Sequence, residues 1–600
     1  MKKNRTVLLL CLAAAFVLLM SVPFLAGGCG WMALLGFVPL LCMERVADAE
    51  GRKHFWWWHY GTFVAWNAVT TFWVCNATVG GGIFAVLANA LQMSLVFGLF
   101  RWVKRRFRRG GRGGALPYLF LAAAWIAWEK YYLTVAEISW PWLVLGNAFA
   151  ATPSLVQWYE FTGTLGGSLW VWASSLSVFG LMVAFSDGRF AASWNGKARF
   201  AAVAGTVLAL FGPMVCSLVI GSRYQEVSEG TLPVVIAQPD FDPYHKFQSM
   251  TQDEQNAVLL DQFARGLQEM RKAHPDDSST VLLLAPETFT SDILCNEVPS
   301  SRTFRRFVSF LRANPGAEIL FGASSWTRYE QMARPSANAR KMGDDAWYET
   351  HNSALIVDSA GRYSLYQKSK LVPGVEMLPY VKVLGPIDDK LLGGVAGRCV
   401  GQPAVSNLLF RQEVPVGCAV CYESVYGEHC ASYVRAGAKL LTIITNDAWW
   451  GDTPGYRQHL NYARLRAIET RRDIARCGNT GISAFIDQQG RILQRTAWWE
   501  PAVLQGTVNL SSRETFFVRA GDIVGRLCVF LFVLLFAAAL IRRKIVVSVD
   551  GNPYLCAYEK VSGVLSARFG GPCCLRTANS CRVPAGRGRQ SRHDNLPHRP

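Results

Sequence analysis

The chain has 600 residues, 51% of them apolar and only 17% charged, with 21 Trp and a formal net charge of +18. An ordinary soluble chain carries about 25% charged residues, so this composition excludes a disordered protein, a collagen-like one and a simple soluble enzyme. Sixteen Cys are too dilute for a disulfide scaffold, and a single CxxC (Cys418, Cys421) with no second pair predicts no metal site.

Stretches almost free of Asp, Glu, Lys and Arg predict membrane spans at 7–25, 26–43, 55–75 and 81–100. Each is near the roughly 20 residues that a helix needs to cross a bilayer core. Lys2, Lys3 and Arg5 precede the first span and predict a cytoplasmic N-terminus. The loop after the fourth, RWVKRRFRRGGR, holds Lys104 and six Arg, in agreement. Spans at 116–132, 166–185 and 201–221 follow. The 133–165 connection, expected outside, has no Lys or Arg, and the next inner loop carries Arg189, Lys197 and Arg199. Within the outer connection, SWPWLVLGNAF (139–149) is expected to line lipid entry or to anchor at the interface through Trp140 and Trp142. The basic excess is thus topogenic, and nucleic acid is not an expected partner.

Residues 222–521 have ordinary soluble composition and are placed by this topology outside the cytoplasm. Apolar runs at 232–238, 281–287, 317–324, 353–359, 416–421 and 439–446 predict buried strands. Helices are predicted at 251–272, 301–313 and 456–476. The alternation reads as an α/β domain with its ligand at the carboxyl ends of strands. A last span is predicted at 523–541, with Arg542, Arg543 and Lys544 behind it. The organisation expected is a seven-span region (1–221), a soluble domain (222–521), a final membrane helix (522–544) and a disordered cytoplasmic tail (545–600).

Three chemically notable residues stand at strand ends. Glu287 closes VLLLAPE, Cys421 closes VGCAVC, and Lys368 lies just past RYSLYQ. A thiol is a strong nucleophile, but at a pKa of about 8.5 it is only slightly ionised at neutral pH. A carboxylate can take its proton, and an ammonium can hold the oxyanion formed when sulfur attacks a carbonyl. Taken singly, each has a bland reading: core cysteines, a solvated strand end, a hairpin charge. The residues alone leave both readings open.

APET around Glu287, YQKSKLVP around Lys368, CAVCYES around Cys421 and the run from NDAWWGD to IDQQGRI resemble the signatures of the nitrilase (carbon–nitrogen hydrolase) superfamily. The resemblance implies an αββα sandwich with a Glu–Lys–Cys triad. Inserted before the last of about eight transmembrane helices, such a domain is similar to the apolipoprotein N-acyltransferase family. That likeness implies acyl transfer from a membrane phospholipid to the terminal amine of an S-diacylglyceryl-cysteine apolipoprotein, through a thioester. It also implies a monomer in the bacterial inner membrane, with the catalytic domain periplasmic and no cofactor. Carried over by position, Cys421 is the nucleophile, Glu287 the base and Lys368 the oxyanion holder. Glu376, Tyr422 and Glu423 support them, and Phe247 and Trp449 contact substrate. VPGVE (372–376) departs from the family's VPFGE, and Phe247 stands where a Trp is expected. Gly374 to Gly394 is expected to form a mobile arm over the site. The alternatives are a membrane-tethered amidase, and a transporter or sensor with a non-catalytic external domain.

Overall fold

The computed structural model describes residues 2–109, 114–188, 194–244, 246–273, 275, 279–388 and 397–547. The tail expected from 545 lies, from 548 onward, outside the described residues, as does Arg189. Two compact units divide the chain, Met1–Ala539 and Leu540–Pro600. The first holds both the membrane helices and the soluble domain.

Helices α1 (Lys2–Leu25), α2 (Phe37–Ala49), α3 (Phe55–Thr71), α4 (Val79–Arg109), α5 (Leu116–Thr134), α6 (Thr164–Ser186) and α7 (Gly196–Arg223) form the N-terminal bundle; α2 starts later than the 26–43 expected, because a 3-10 turn, Gly30–Leu35, takes up the first part of that stretch. Among the described residues, six stretches are long and apolar enough to cross a membrane: Arg5–Leu25, Gly30–Ala49, Val79–Arg108, Thr164–Ser186, Gly196–Arg223 and Ile523–Ile541. Six of the roughly eight expected positions thus meet that length and composition. The other two are helices, but α3 has 17 residues and α5 carries Glu129 and Lys130.

Aromatic edges and faces lock the bundle. Phe16 meets Trp66 at 5.7 Å and Phe37 meets Trp125 at 5.1 Å, both T-shaped, the geometry that ring quadrupoles favour. Buried His59 is satisfied locally, as apolar surroundings require: its Nδ1 lies 3.1 Å from Ser94 Oγ. Glu129, near the end of α5, faces the interior. It is fully buried and accepts from the Leu145 N–H at 2.9 Å, fixing the outer connection.

The soluble domain is an αββα sandwich. Its first sheet runs β14(Ala502–Asn509)-β1(Thr231–Gln238)-β2(Val281–Leu284)-β4(Ala317–Glu330)-β6(Ala346–Val357)-β5(Arg340–Met342). Strand β3 (Thr290–Leu294) pairs with β4, and β7 (Tyr363–Gln367) with β6. The second sheet runs β13(Ile492–Arg495)-β12(Ala484–Ile486)-β11(Ile474–Gly478)-β10(Leu440–Thr445)-β9(Val414–Val420)-β8(Leu408–Phe410). Side chains alternate across the first sheet with the period of two that strands impose. Leu282 and Leu284 pack toward Val416, Cys418 and Val420 between the sheets. Leu283 faces Phe263 of α8 (Gln252–Ala273) and Phe307 of α9 (Arg302–Ala313) on the outer side. Helices α10 (Gly427–Arg435) and α11 (Pro454–Thr470) serve the second sheet, and α12 (Ile523–Val547) returns to the bundle.

The helix predicted at 456–476 is shorter than expected. Arg471 adopts a left-handed backbone (φ 48°) and its guanidinium donates to Glu160 Oε2 at 3.0 Å, so the chain leaves the helix and enters β11. Tertiary contacts end this helix, not a local breaker.

The sandwich is joined to the bundle by buried contacts. Gln458 Nε2 donates to the carbonyls of Phe24 (3.2 Å) and Thr70 (3.3 Å), at the ends of α1 and α3. Trp142 neither anchors at an interface nor lines lipid entry: it is 1% exposed, donates to Gln458 Oε1 at 2.6 Å, and packs on Trp73 and Trp450.

Candidate active site

Glu287 sits three residues past β2, and β4 crowds against it. A Cβ at Gly322 would lie 2.6 Å from Glu287 Cα and 2.7 Å from Thr288 N, so only glycine allows this approach. Thr288 is itself left-handed (φ 47°), a strained state for a β-branched residue. Lys246 Nζ donates to the carbonyls of Thr288 (2.7 Å) and Phe289 (2.8 Å), bracing the turn from behind.

Lys368, one residue past β7, is 1% exposed. Its Nζ donates to Glu376 Oε1 at 2.9 Å and Glu287 Oε1 at 3.2 Å. Burial alone would lower its pKa. The carboxylates of Glu376 and Glu287 outweigh that and raise it well above the usual lysine range, so the group is an ammonium. Asn352 on β6 ties the two carboxylates together, its Nδ2 donating to Glu287 Oε1 and Glu376 Oε1, each at 2.7 Å. The Asn446 N–H donates to Glu287 Oε2 at 3.0 Å, and the Val372 N–H to Glu376 Oε2 at 2.8 Å.

Cys421 follows β9 and opens a 3-10 turn, Cys421–Val425. Its φ of 51° is left-handed, and such strain in a non-glycine residue collects at functional sites. Burial raises its thiol well above the ordinary range, Glu287 adds to the rise, and Lys368 opposes it. The resting sulfur is therefore protonated. Its carbonyl accepts from Ser424 Oγ at 2.7 Å and lies 3.1 Å from His459 Nε2. His459 Nδ1 in turn lies 2.9 Å from Asp447 Oδ1, which Arg476 also holds through Oδ2 at 2.6 Å. Burial would raise the Asp447 pKa, but His459 and Arg476 hold it at about 2.

Glu423 is fully buried and accepts hydrogen bonds from Tyr366 OH (2.6 Å), Ser369 N–H (2.7 Å), Lys370 N–H (3.1 Å) and Val420 N–H (2.9 Å). Burial would raise it, but His429 and these donors bring it down to about 2. It pins the strand leading to Cys421 to the segment following Lys368. Tyr422 OH donates to the carbonyl of Ser139 in the outer connection at 2.9 Å, linking the nucleophile's neighbour to the bundle.

Glu287, Glu376 and Trp449 line one cleft of about 640 Å³, together with Trp326, Met342 and Val375. Trp449 is 40% exposed and packs edge-on against Tyr244 at 5.1 Å. The Phe247 side chain lies outside the described residues, although its backbone is in the short helix Lys246–Ser249. Glu287 and Glu376 thus line the cleft with Trp449 and hold Lys368 between them, and Cys421 lies within electrostatic reach of Glu287 and Lys368, with Tyr422 and Glu423 next in the chain. Among the described residues no cluster of His, Cys, Asp and Glu is arranged to hold a metal ion. Sequence reasoning missed Asn352 and the Asp447–His459–Arg476 group. Asn446 and Asp447 sit in the NDAWWGD run, which is the one local signal that could have pointed there.

Fold and site define a nitrilase-type catalytic domain built onto a membrane bundle. The family model described as carbon-nitrogen hydrolase matches residues 263–516, and that described as apolipoprotein N-acyltransferase N-terminal domain matches 14–177. A protein of Chlorobaculum tepidum named apolipoprotein N-acyltransferase is 28% identical over 86% of this chain and 92% of its own length. One of the same name from Geobacter metallireducens is 26% identical over 88% and 94%. Among solved structures, an amidase from Nesterenkonia sp. AN1 aligns over 49% of this chain and 98% of its own, at 15% identity and a TM-score of 0.31. The chain belongs to the apolipoprotein N-acyltransferase family, and it is an acyltransferase; the amidase alternative is not favoured, because the membrane module matches as well as the catalytic one.

Proposed function

We propose that this enzyme moves a fatty acyl group from a membrane phospholipid to the α-amine of an S-diacylglyceryl-cysteine lipoprotein through a thioester on Cys421. The observation that carries the reading is the buried set Glu287–Lys368–Glu376 beside a thiol at a strained turn, held against membrane helices. Glu287 takes the proton as sulfur attacks the ester carbonyl, which suits a thiol that is neutral at rest. The Lys368 ammonium faces the tetrahedral oxyanion. Collapse breaks the ester C–O bond, and lysophospholipid leaves with the proton from Glu287. The incoming amine attacks the thioester, Glu287 accepts its proton, and the amide forms as the thiol is restored. Ester to thioester to amide ends downhill, so no energy-supplying cofactor is called for.

Glu376 holds the ammonium, Tyr422 and Glu423 hold the turn, and Trp449 contacts lipid. The protein works as a monomer in the bacterial inner membrane with its sandwich on the periplasmic side. A site on the bundle keeps acyl chains out of water, which would cost about 0.8 kcal/mol per methylene. Mass spectrometry of the full chain tests the covalent step. The Cys421 peptide should carry a fatty-acyl mass that is absent in Cys421→Ser; an adduct on Cys418 instead would overturn the assignment.

A further inference from the structure

Along α1 and α3 the bundle leaves an apolar trough of about 700 Å³, running from Leu10 and Trp57 to Leu25 and Val69. Leu10, Ala14 and Leu18 of α1 and Trp57, Gly61 and Ala65 of α3 form its walls. Gly61 opens its floor: a Cβ built there meets nothing within 4 Å. The trough meets a second cavity of about 680 Å³ at the start of α1, and Trp58 lines both. Arg5, Glu50, Arg52, Lys53 and His54 surround that second space. Glu50 accepts from Arg5 at 3.0 Å and also from Arg52, while Lys53 has no ion-pair partner among the described residues. Three cations thus face one carboxylate, beside a histidine.

An apolar channel ending in an under-neutralised cationic mouth has the shape and charge of one lipid class. We propose that this place binds one resident anionic phospholipid, its phosphate against Arg5, Lys53 and His54 and its acyl chains along α1 and α3. Cationic residues at a bilayer surface select anionic headgroups, whereas a zwitterionic headgroup would leave the excess unmatched. The headgroup end is remote from the catalytic cleft, with which the trough shares no lining residue. Arg5 and the sandwich-docked end of α1 at Phe24 are 19 residues apart, about 28 Å of helix. The lipid bound here is therefore not the acyl donor but a fixed part of the bundle.

Native mass spectrometry of the full chain in detergent, with added phosphatidylglycerol or phosphatidylcholine, tests this. Two variants separate headgroup from chain: Arg5→Gln with Lys53→Gln, and Gly61→Phe, whose ring fills the trough without a backbone clash. Wild type should retain one phosphatidylglycerol per chain more than either variant, with at least a ten-fold drop in occupancy. Phosphatidylcholine should show no such difference, and acyl loading of Cys421 should be unchanged in both variants. Equal phosphatidylglycerol retention by all three proteins would overturn the proposal. So would equal retention of the two lipids by wild type, or binding of inorganic phosphate without lipid.

Discussion

Asn352 illustrates how a neutral side chain can govern charged ones. Its amide spans Glu287 and Glu376, so both carboxylates keep their places around Lys368. Hydrogen bonds to charged groups contribute about 1.5–3 kcal/mol. Asn352→Leu should therefore lower turnover roughly 10- to 100-fold, with little change in thermal unfolding, as read by acyl loading under single-turnover conditions. Unchanged loading would show that the carboxylates hold themselves. Glu287, Lys368 and Cys421 were legible as candidates because each follows an apolar strand within a distinctive motif. Asn352 was not, because an Asn inside HNSALIV has no local mark; its role exists only once β6 pairs with β4, beside the turn that carries Glu287. The interfacial reading of Trp142 failed for the same reason, since burial under a second domain leaves no trace in a lone Trp.

Two elements shape the cleft. The β4 backbone at Gly322 lies against the Glu287 turn, and a methyl there must displace it. Gly322→Ala should destabilise the protein by about 1–3 kcal/mol, the usual cost of overpacking, and reduce activity more than stability; equal thermal unfolding and activity to wild type would refute this close approach. The segment after Lys368 is the second. It turns at Gly374 and forms the short helix Val381–Ile387, with Val383 68% exposed and Ile387 49% exposed. Residues 389–394 of the expected arm lie outside the described residues. Exposed apolar side chains beside an acyl-transfer site suit insertion into lipid. On that reading Val383→Asp with Ile387→Asp should slow acyl loading several-fold from bilayer lipid but not from detergent-dispersed lipid, and equal slowing in both would count against membrane contact. Periodicity located most strands and helices, but it placed the end of α11 too late, because Arg471 leaves the helix to reach Glu160 in the outer connection.

Across the whole molecule, buried charge makes stability depend on pH. Glu423 and Asp447 have pKa values of about 2, below their ordinary values of 4.5 and 3.8. A depressed folded-state pKa adds stability that is complete above the unfolded value and is lost as pH falls toward the folded one. The thermal midpoint in detergent should hold near pH 6 and fall steadily below about pH 4.5; a flat profile down to pH 3 would mean that these carboxylates are not ionised in the fold. The count of membrane crossings was the least legible global property. Hydropathy reports helices that could face lipid, yet α3 and α5 fill places in the bundle with polar and charged side chains that their neighbours satisfy.

The Tyr422–Ser139 link and the Gln458 bonds to Phe24 and Thr70 bear on how such enzymes can be re-engineered. A chimera that grafts the hydrolase half of a water-soluble relative onto these helices would lack counterparts for Ser139, Phe24, Thr70 and the Trp73–Trp142 face. Its cysteine turn would lose its footing even with every reacting side chain retained. Transplanting this activity therefore means moving the seam along with the machinery on either side of it.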